Sequence, residues 1–218
     1  MGYFITFEGI EGCGKTTQIR LLGEHLVSLG HRVVLTREPG GCQIADKIRA
    51  ILLDADNRGM NPLAELFLYA AARAQHVAEI IRPALESGCI VLCDRFTDAT
   101  IAYQSSGRGI DRATIDQLNT LACQSIFPDL TILIDCEINV GLKRAKQRID
   151  SAAGPREERF ELEALEFHQR VRDGYLDLVR QDPQRFFSAD GSSTIEQISA
   201  TIFERVLKGL KDSSRAIR

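Results

Sequence analysis

The sequence predicts an α/β fold: a largely parallel sheet covered by helices on both faces. Three observations predict it. Short β-rich runs alternate with longer amphipathic helical patterns along the 218 residues. A glycine-rich loop, Gly9–Thr16, joins the first strand to the first helix. The residues able to carry chemistry stand just after strands, at the sheet edge where such folds gather ligands.

Each element follows from local pattern. Tyr3–Phe7 (YFITF) reads as a buried strand, and Thr16–Leu29 places Ile19, Leu22, Leu26 and Leu29 at helical spacing. Gly30 ends that helix, and Arg32–Thr36 (RVVLT) forms the second strand. Helical stretches over Gln43–Leu53 and Pro62–Glu86 are separated by the turn-rich DADNRGMNP, with Pro83 expected to kink or shorten the second. Cys89–Asp94 (CIVLCD) is the third strand, and Asp111 is the N-cap of a helix running to about Ser125. Leu130–Cys136 is the fourth strand, followed by a helix over Val140–Ile149. The charged DSAAGPREERFE interrupts the helical pattern, which resumes over Leu162–Val179. Arg185–Ser188 is a short last strand, and the final helix carries Ile195, Ile198, Ile202, Val206 and Leu210 on one face. The length suits one domain, residues 1–218.

Composition excludes several classes. Lys and Arg total 27 against 30 Asp and Glu, a net charge of −3, so nothing offers a basic face to nucleic acid. No apolar run is long enough to span a bilayer, and the start reads straight into fold-like sequence. Cys13, Cys42, Cys89, Cys93, Cys123 and Cys136 are scattered singly, with no CxxC pair and no clustered histidine. Buried, reduced thiols in a cytoplasmic protein are expected.

Gly9-Ile10-Glu11-Gly12-Cys13-Gly14-Lys15-Thr16 fits G-x-x-x-x-G-K-[ST] between a strand and a helix. Glycines let backbone N–H groups converge on phosphate oxygens, and the helix N-terminus adds partial positive charge. Lys15 is expected to reach the β- and γ-phosphates of a nucleotide, and the Thr16 hydroxyl to ligate Mg²⁺. No asparagine is followed by lysine, so the guanine-reading NKxD is absent. The D-x-x-G match at Asp56–Gly59 follows helical sequence rather than a strand, and reads as chance.

Arg37 follows the second strand and Arg95 the third, so both face the crevice that holds Lys15. Two cations beside a phosphate loop suit an acceptor that is itself phosphorylated. Asp94, at the end of an apolar strand, is placed to hold Mg²⁺ through water. Tyr69 and Arg73 lie four residues apart on one helix face; Thr100 and Gln104 are likewise four apart, with Tyr103 adjacent if that stretch is helical. A flat ring with Arg, Thr and Gln donors and acceptors is what reading a pyrimidine requires. A transferring phosphoryl group needs more countercharge than Lys15 supplies, and Arg156 and Arg159 are candidates on a loop able to close.

In order, FEGIEGCGKTT, TREPGG, LYAAAR, DRFTDATIAYQSSGRGID, PDLTILID and RFE in a basic loop, the sequence resembles bacterial thymidylate kinase from about Tyr3 to Leu176. The resemblance implies a three-layer P-loop NTPase fold with a five-stranded parallel sheet, a short mobile lid at about 150–161 and a homodimer. It implies conversion of dTMP to dTDP with ATP and Mg²⁺ by direct in-line transfer. Arg95 then grips the dTMP phosphate with Arg37 assisting. Arg73 and Gln104 read thymine with Thr100, Tyr69 stacks, and Tyr103 packs beneath the deoxyribose. Glu38, within TREPGG, joins the dTMP site. Thr17 extends the ATP loop, Arg144 lies against adenine, and Arg159 is favoured as the lid arginine. Two positions depart from the family pattern: Tyr69 stands where Phe is usual, and Ala99 where many relatives carry Ser. The rival readings are another nucleotide or deoxynucleoside kinase, the two acceptor-side arginines counting against an uncharged acceptor, and a nucleotide-binding switch protein.

Overall fold

The computed structural model describes residues 2–151 and 159–216, the last four of these as backbone only. Five parallel strands form one sheet in the order β2-β3-β1-β4-β5: β1 Tyr3–Glu8, β2 Val33–Arg37, β3 Ile90–Asp94, β4 Leu130–Asp135 and β5 Phe186–Asp190. The central strands are buried on both faces, which is why β1, β3 and β4 read as continuous apolar runs. Strand β2 lies at the edge, and Leu35 there is half exposed.

Side-chain alternation along β1 builds the two outer layers. Tyr3, Ile5 and Phe7 share a core with Ile19, Leu22 and Leu26 of α1 (Lys15–Ser28) and with Ile198, Ile202 and Val206 of α9 (Ile195–Ala216). Phe4 packs with Val77, Ile81, Val91, Phe96 and Cys123 in a separate core. This is the three-layer architecture expected from the sequence.

Helix α2 (Gln43–Leu53) and the long run from Pro62 follow β2. That run is continuous but not uniform: α3 (Pro62–His76) widens into a π-helical turn, Val77–Ile81, before α4 (Arg82–Glu86). Pro83 lies just beyond the π turn. Lacking an N–H, it cannot bond the carbonyl four residues back, and the chain widens there instead of ending. After β3, α5 (Thr97–Thr100) runs into a second π-helical stretch, Ile101–Gly107, so the segment carrying Thr100, Tyr103 and Gln104 is helical but wound wider than α. The Asp111 side chain caps α6 (Arg112–Cys123) by accepting from Thr114 N at 3.0 Å, as expected. Helices α7 (Ile138–Ser151) and α8 (Leu165–Gln181) flank the charged segment. Residues 152–158, which include Arg156 and most of the expected lid, lie outside the described residues.

Register aligns the strand ends that matter. Phe7 of β1 and Arg37 of β2 both pair with Asp94 of β3, so three strands finish level with one another. Among the described residues no helix is long and apolar enough to cross a membrane. All six cysteines are unpaired, five of them buried and Cys89 partly so.

Candidate active site

The carboxyl ends of β1, β2 and β3 open into a cleft of about 1120 Å³. That is slightly above the roughly 300–1,000 Å³ usual for one small ligand. Lys15 and Arg95 both line it.

Gly14, at φ 104°, supplies the left-handed turn that starts α1. A second glycine does something different: a β-carbon on Gly12 would fall 2.0 Å from the carbonyl oxygen of Gly141. The loop is thereby pressed backbone to backbone against α7, the helix that carries Arg144 to the cleft. Lys15 is buried and folded onto its own loop, donating from Nζ to the carbonyls of Gly9 and Ile10, both at 3.0 Å. These carbonyls hold the ammonium against the loop. The Ile10 side chain is buried, while Glu11, Gly12, Cys13 and Gly14 line the cleft with Thr16 and Thr17. Thr16 Oγ1 donates to Asp94 Oδ2 at 3.1 Å, so the two residues expected at a metal meet, although 78 positions separate them.

Arg95 has φ 69°, an unusual conformation for a side-chain-bearing residue, held by its N–H donating to the Phe7 carbonyl at 2.9 Å. Its guanidinium lies over the Tyr103 ring, 4.8 Å from the centroid, and donates to Tyr175 Oη and Glu11 Oε1, each at 3.1 Å. Tyr103 Oη donates to Glu11 as well. Burial works against Glu11 ionising, but His168, Arg95, Tyr103 and Lys15 outweigh it and hold the carboxyl down at about 2. His168 Nδ1 lies 3.5 Å from Glu11 Oε2. Glu8 goes the other way: burial, then the charge of Asp98, lifts it to about 8 against Arg95, the Tyr175 hydroxyl and the Phe96 N–H.

Arg73 is buried and heavily committed. It donates to Glu38 Oε2 at 2.8 Å, Asn119 Oδ1 at 2.7 Å, Thr100 Oγ1 at 2.9 Å and the Phe96 carbonyl at 3.1 Å. Glu38 is steadied from behind by His76, whose other ring nitrogen meets Thr36 Oγ1 at 2.6 Å. Tyr69, Thr100, Tyr103 and Gln104 line the same cleft as Arg73. Arg37 lines it from the exposed side, 3.4 Å from Asp46.

Arg159 is placed elsewhere. It is buried, donates to Glu65 Oε2 at 2.6 Å and to the Leu52 carbonyl, and its Nη2 has no partner. Phe160, Glu161 and Arg148 line the cleft from that side instead. Sequence reasoning missed Glu8, Glu65, His76, Asn119 and Tyr175. A signal existed for Glu65, four residues before Tyr69 and eight before Arg73 on one helix face. For Asn119 and Tyr175 only the fold brings them near.

A glycine loop wrapped on a buried lysine, at the carboxyl edge of such a sheet, is how P-loop NTPases hold phosphate, and the chain has their fold. More narrowly, it belongs to the thymidylate kinase family, whose model, described as Thymidylate kinase, matches residues 7–202. A thymidylate kinase of Pelobacter propionicus is 66% identical over 218 residues, covering 100% of both chains. One from Geotalea uraniireducens is 63% identical over 97% of this chain and 100% of its own. The crystal structure of thymidylate kinase from Ehrlichia chaffeensis superposes with a TM-score of 0.76 at 37% identity, covering 94% of this chain and 98% of that one.

Proposed function

We infer that this chain transfers the γ-phosphoryl group of ATP to dTMP, giving ADP and dTDP. The observation that carries the reading is that Lys15 and Arg95 open onto one cleft, which Tyr69, Arg73 and Gln104 also line. Two anions facing each other need cations on both sides, and the cleft has them.

In this reading the N–H groups of Gly12–Thr16 cradle the ATP phosphates, and Lys15 exchanges its loop carbonyls for phosphate oxygens. Arg144 lies beside the adenine. Arg95 and Arg37 hold the dTMP phosphate in line with the donor. Four of Arg73's five N–H groups are taken by the protein, leaving one on Nη1 for a base carbonyl. Tyr69 supplies the ring under the base, and Tyr103 fills the space beneath the sugar. Arg159 supplies charge to the transferring group once released from Glu65.

The chemistry implies Mg²⁺, and the donor set fits it: a hydroxyl and a carboxylate, both oxygen, meeting at the cleft through Thr16 and Asp94. When bound, Mg²⁺ neutralises charge on the β- and γ-phosphate oxygens. A homodimer belongs to the reading too. Leu63 and Phe67 of α3, Leu121 of α6 and nearby Phe127 are exposed apolar side chains suited to a second copy. Sedimentation at micromolar concentration is expected to give twice 24.2 kDa, and a monomer would reject this part. We place the enzyme in the cytoplasm, where its unpaired thiols stay reduced.

The test is ADP release with ATP against a panel of nucleosides and nucleoside monophosphates. Release that requires dTMP is expected. Turnover of thymidine with dTMP ignored, or ATP hydrolysis indifferent to both, would overturn the reading.

A further inference from the structure

Glu65 lies in the first turn of α3 and is 1% exposed, yet it carries an acid into the interior. Three side chains converge on it. Gln104 Nε2 donates to Oε1 at 2.8 Å, and Arg108 donates from Nε to Oε1 and from Nη2 to Oε2, each at 3.3 Å. Arg159 Nη1 donates to Oε2 at 2.6 Å. Burying a lone carboxylate is costly, and the two guanidiniums offset that cost.

Of these contacts, the one to Gln104 has chemical direction. A carboxylate offers only acceptors, so it can hold only the amino end of an amide. The amide oxygen of Gln104 is therefore the end left for the cleft that this residue lines. An unrestrained glutamine can present either end, and would serve equally a base with a ring N–H or a base with a ring lone pair. Held by Glu65, Gln104 presents an acceptor only.

We propose that Glu65 is a specificity-determining positioning residue: by gripping the Gln104 amino group it makes the cleft accept a pyrimidine whose ring N3 carries a hydrogen, thymine or uracil, and reject cytosine, whose N3 carries a lone pair. The proposal rests on the reading above in taking Gln104 to face the base. A site built to receive a particular N–H discriminates strongly, because the wrong base sets two acceptors against each other.

The test compares kcat/KM for dTMP and dCMP, by coupled ADP release, in the wild type and four variants. Glu65→Gln keeps the shape but lets either end of Gln104 be satisfied, and is expected to lower the dTMP preference at least about tenfold. Glu65→Asp keeps the charge facing Arg108 and Arg159 but withdraws the carboxylate by one methylene. It is expected to lower the preference in the same direction, and it answers the question should Glu65→Gln fold poorly. Gln104→Met is expected to lower the preference itself. In Glu65→Gln/Gln104→Met the Glu65 change should then add nothing, because Glu65 acts through Gln104. An unchanged preference in both Glu65 single variants, with Gln104→Met reducing it, would overturn the role of Glu65 and leave the base reader standing. A preference left unchanged by Gln104→Met would remove the base reader and this proposal with it.

Discussion

Tyr175 Oη stands between a carboxyl and a guanidinium, donating to Glu8 Oε2 at 2.8 Å and accepting from Arg95 Nη1 at 3.1 Å. One hydroxyl from α8 thus fixes the arginine that follows β3 and the acid that ends β1. Tyr175→Phe leaves a partly buried guanidinium N–H without its acceptor, a loss of about 1 kcal/mol. The expected result is about a tenfold fall in kcat/KM for dTMP, carried mostly by KM. Steady-state kinetics with dTMP varied and ATP saturating will measure it, and unchanged constants would remove Tyr175 from the positioning of Arg95.

Glu8 makes stability depend on pH in a definite sense. Its folded carboxyl titrates at about 8, above the ordinary carboxylate value, so the folded state binds a proton that the unfolded chain releases. That contribution is fully present below about pH 4.5 and is lost as pH rises through about 8. Glu8→Gln copies the protonated form, keeping an acceptor for the Phe96 N–H. Melting curves from pH 5 to 9 should show the variant gaining on the wild type towards pH 9, by on the order of 5 °C. Parallel curves would show that Glu8 does not titrate in this range.

Gly141→Ala sets two magnitudes against each other. Alanine is favoured over glycine inside a helix by about 1 kcal/mol. Here, however, the new β-carbon would sit 2.5 Å from the Glu11 carbonyl oxygen, backbone against backbone, and overpacking of that kind costs about 1–3 kcal/mol. The strain should win. A lower melting temperature is expected, with KM for ATP raised more than KM for dTMP because the phosphate loop is what moves. A stabilised variant with native kinetics would show that the loop and α7 can part freely.

Arg159 must leave Glu65 and the Leu52 carbonyl before it can meet a phosphoryl group. Arg159→Ala is expected to lower turnover on the order of 10³-fold while ATP binding, read by calorimetry, is retained. Turnover retained with ATP affinity alone lost would contradict a role in the transition state.

The sequence alone determined the scaffold and the phosphate loop, because both are local in origin. Strand and helix periodicities lie within single elements, and Gly9–Thr16 carries its whole function in eight consecutive residues. Pairs on one helix face, such as Tyr69 and Arg73, were legible for the same reason. The π turns before Pro83 and through Gln104 were not, since a widened turn leaves no fixed pattern in the side chains. Only the tertiary structure decided which groups face one another. Thr16 finds Asp94, Arg95 finds Tyr175, and Glu65 collects Gln104, Arg108 and Arg159. Burial then fixed the charge states, driving Glu8 up and letting the charges around Glu11 drive it down. Desolvation and pairing depend on neighbours in space, and sequence order does not record those.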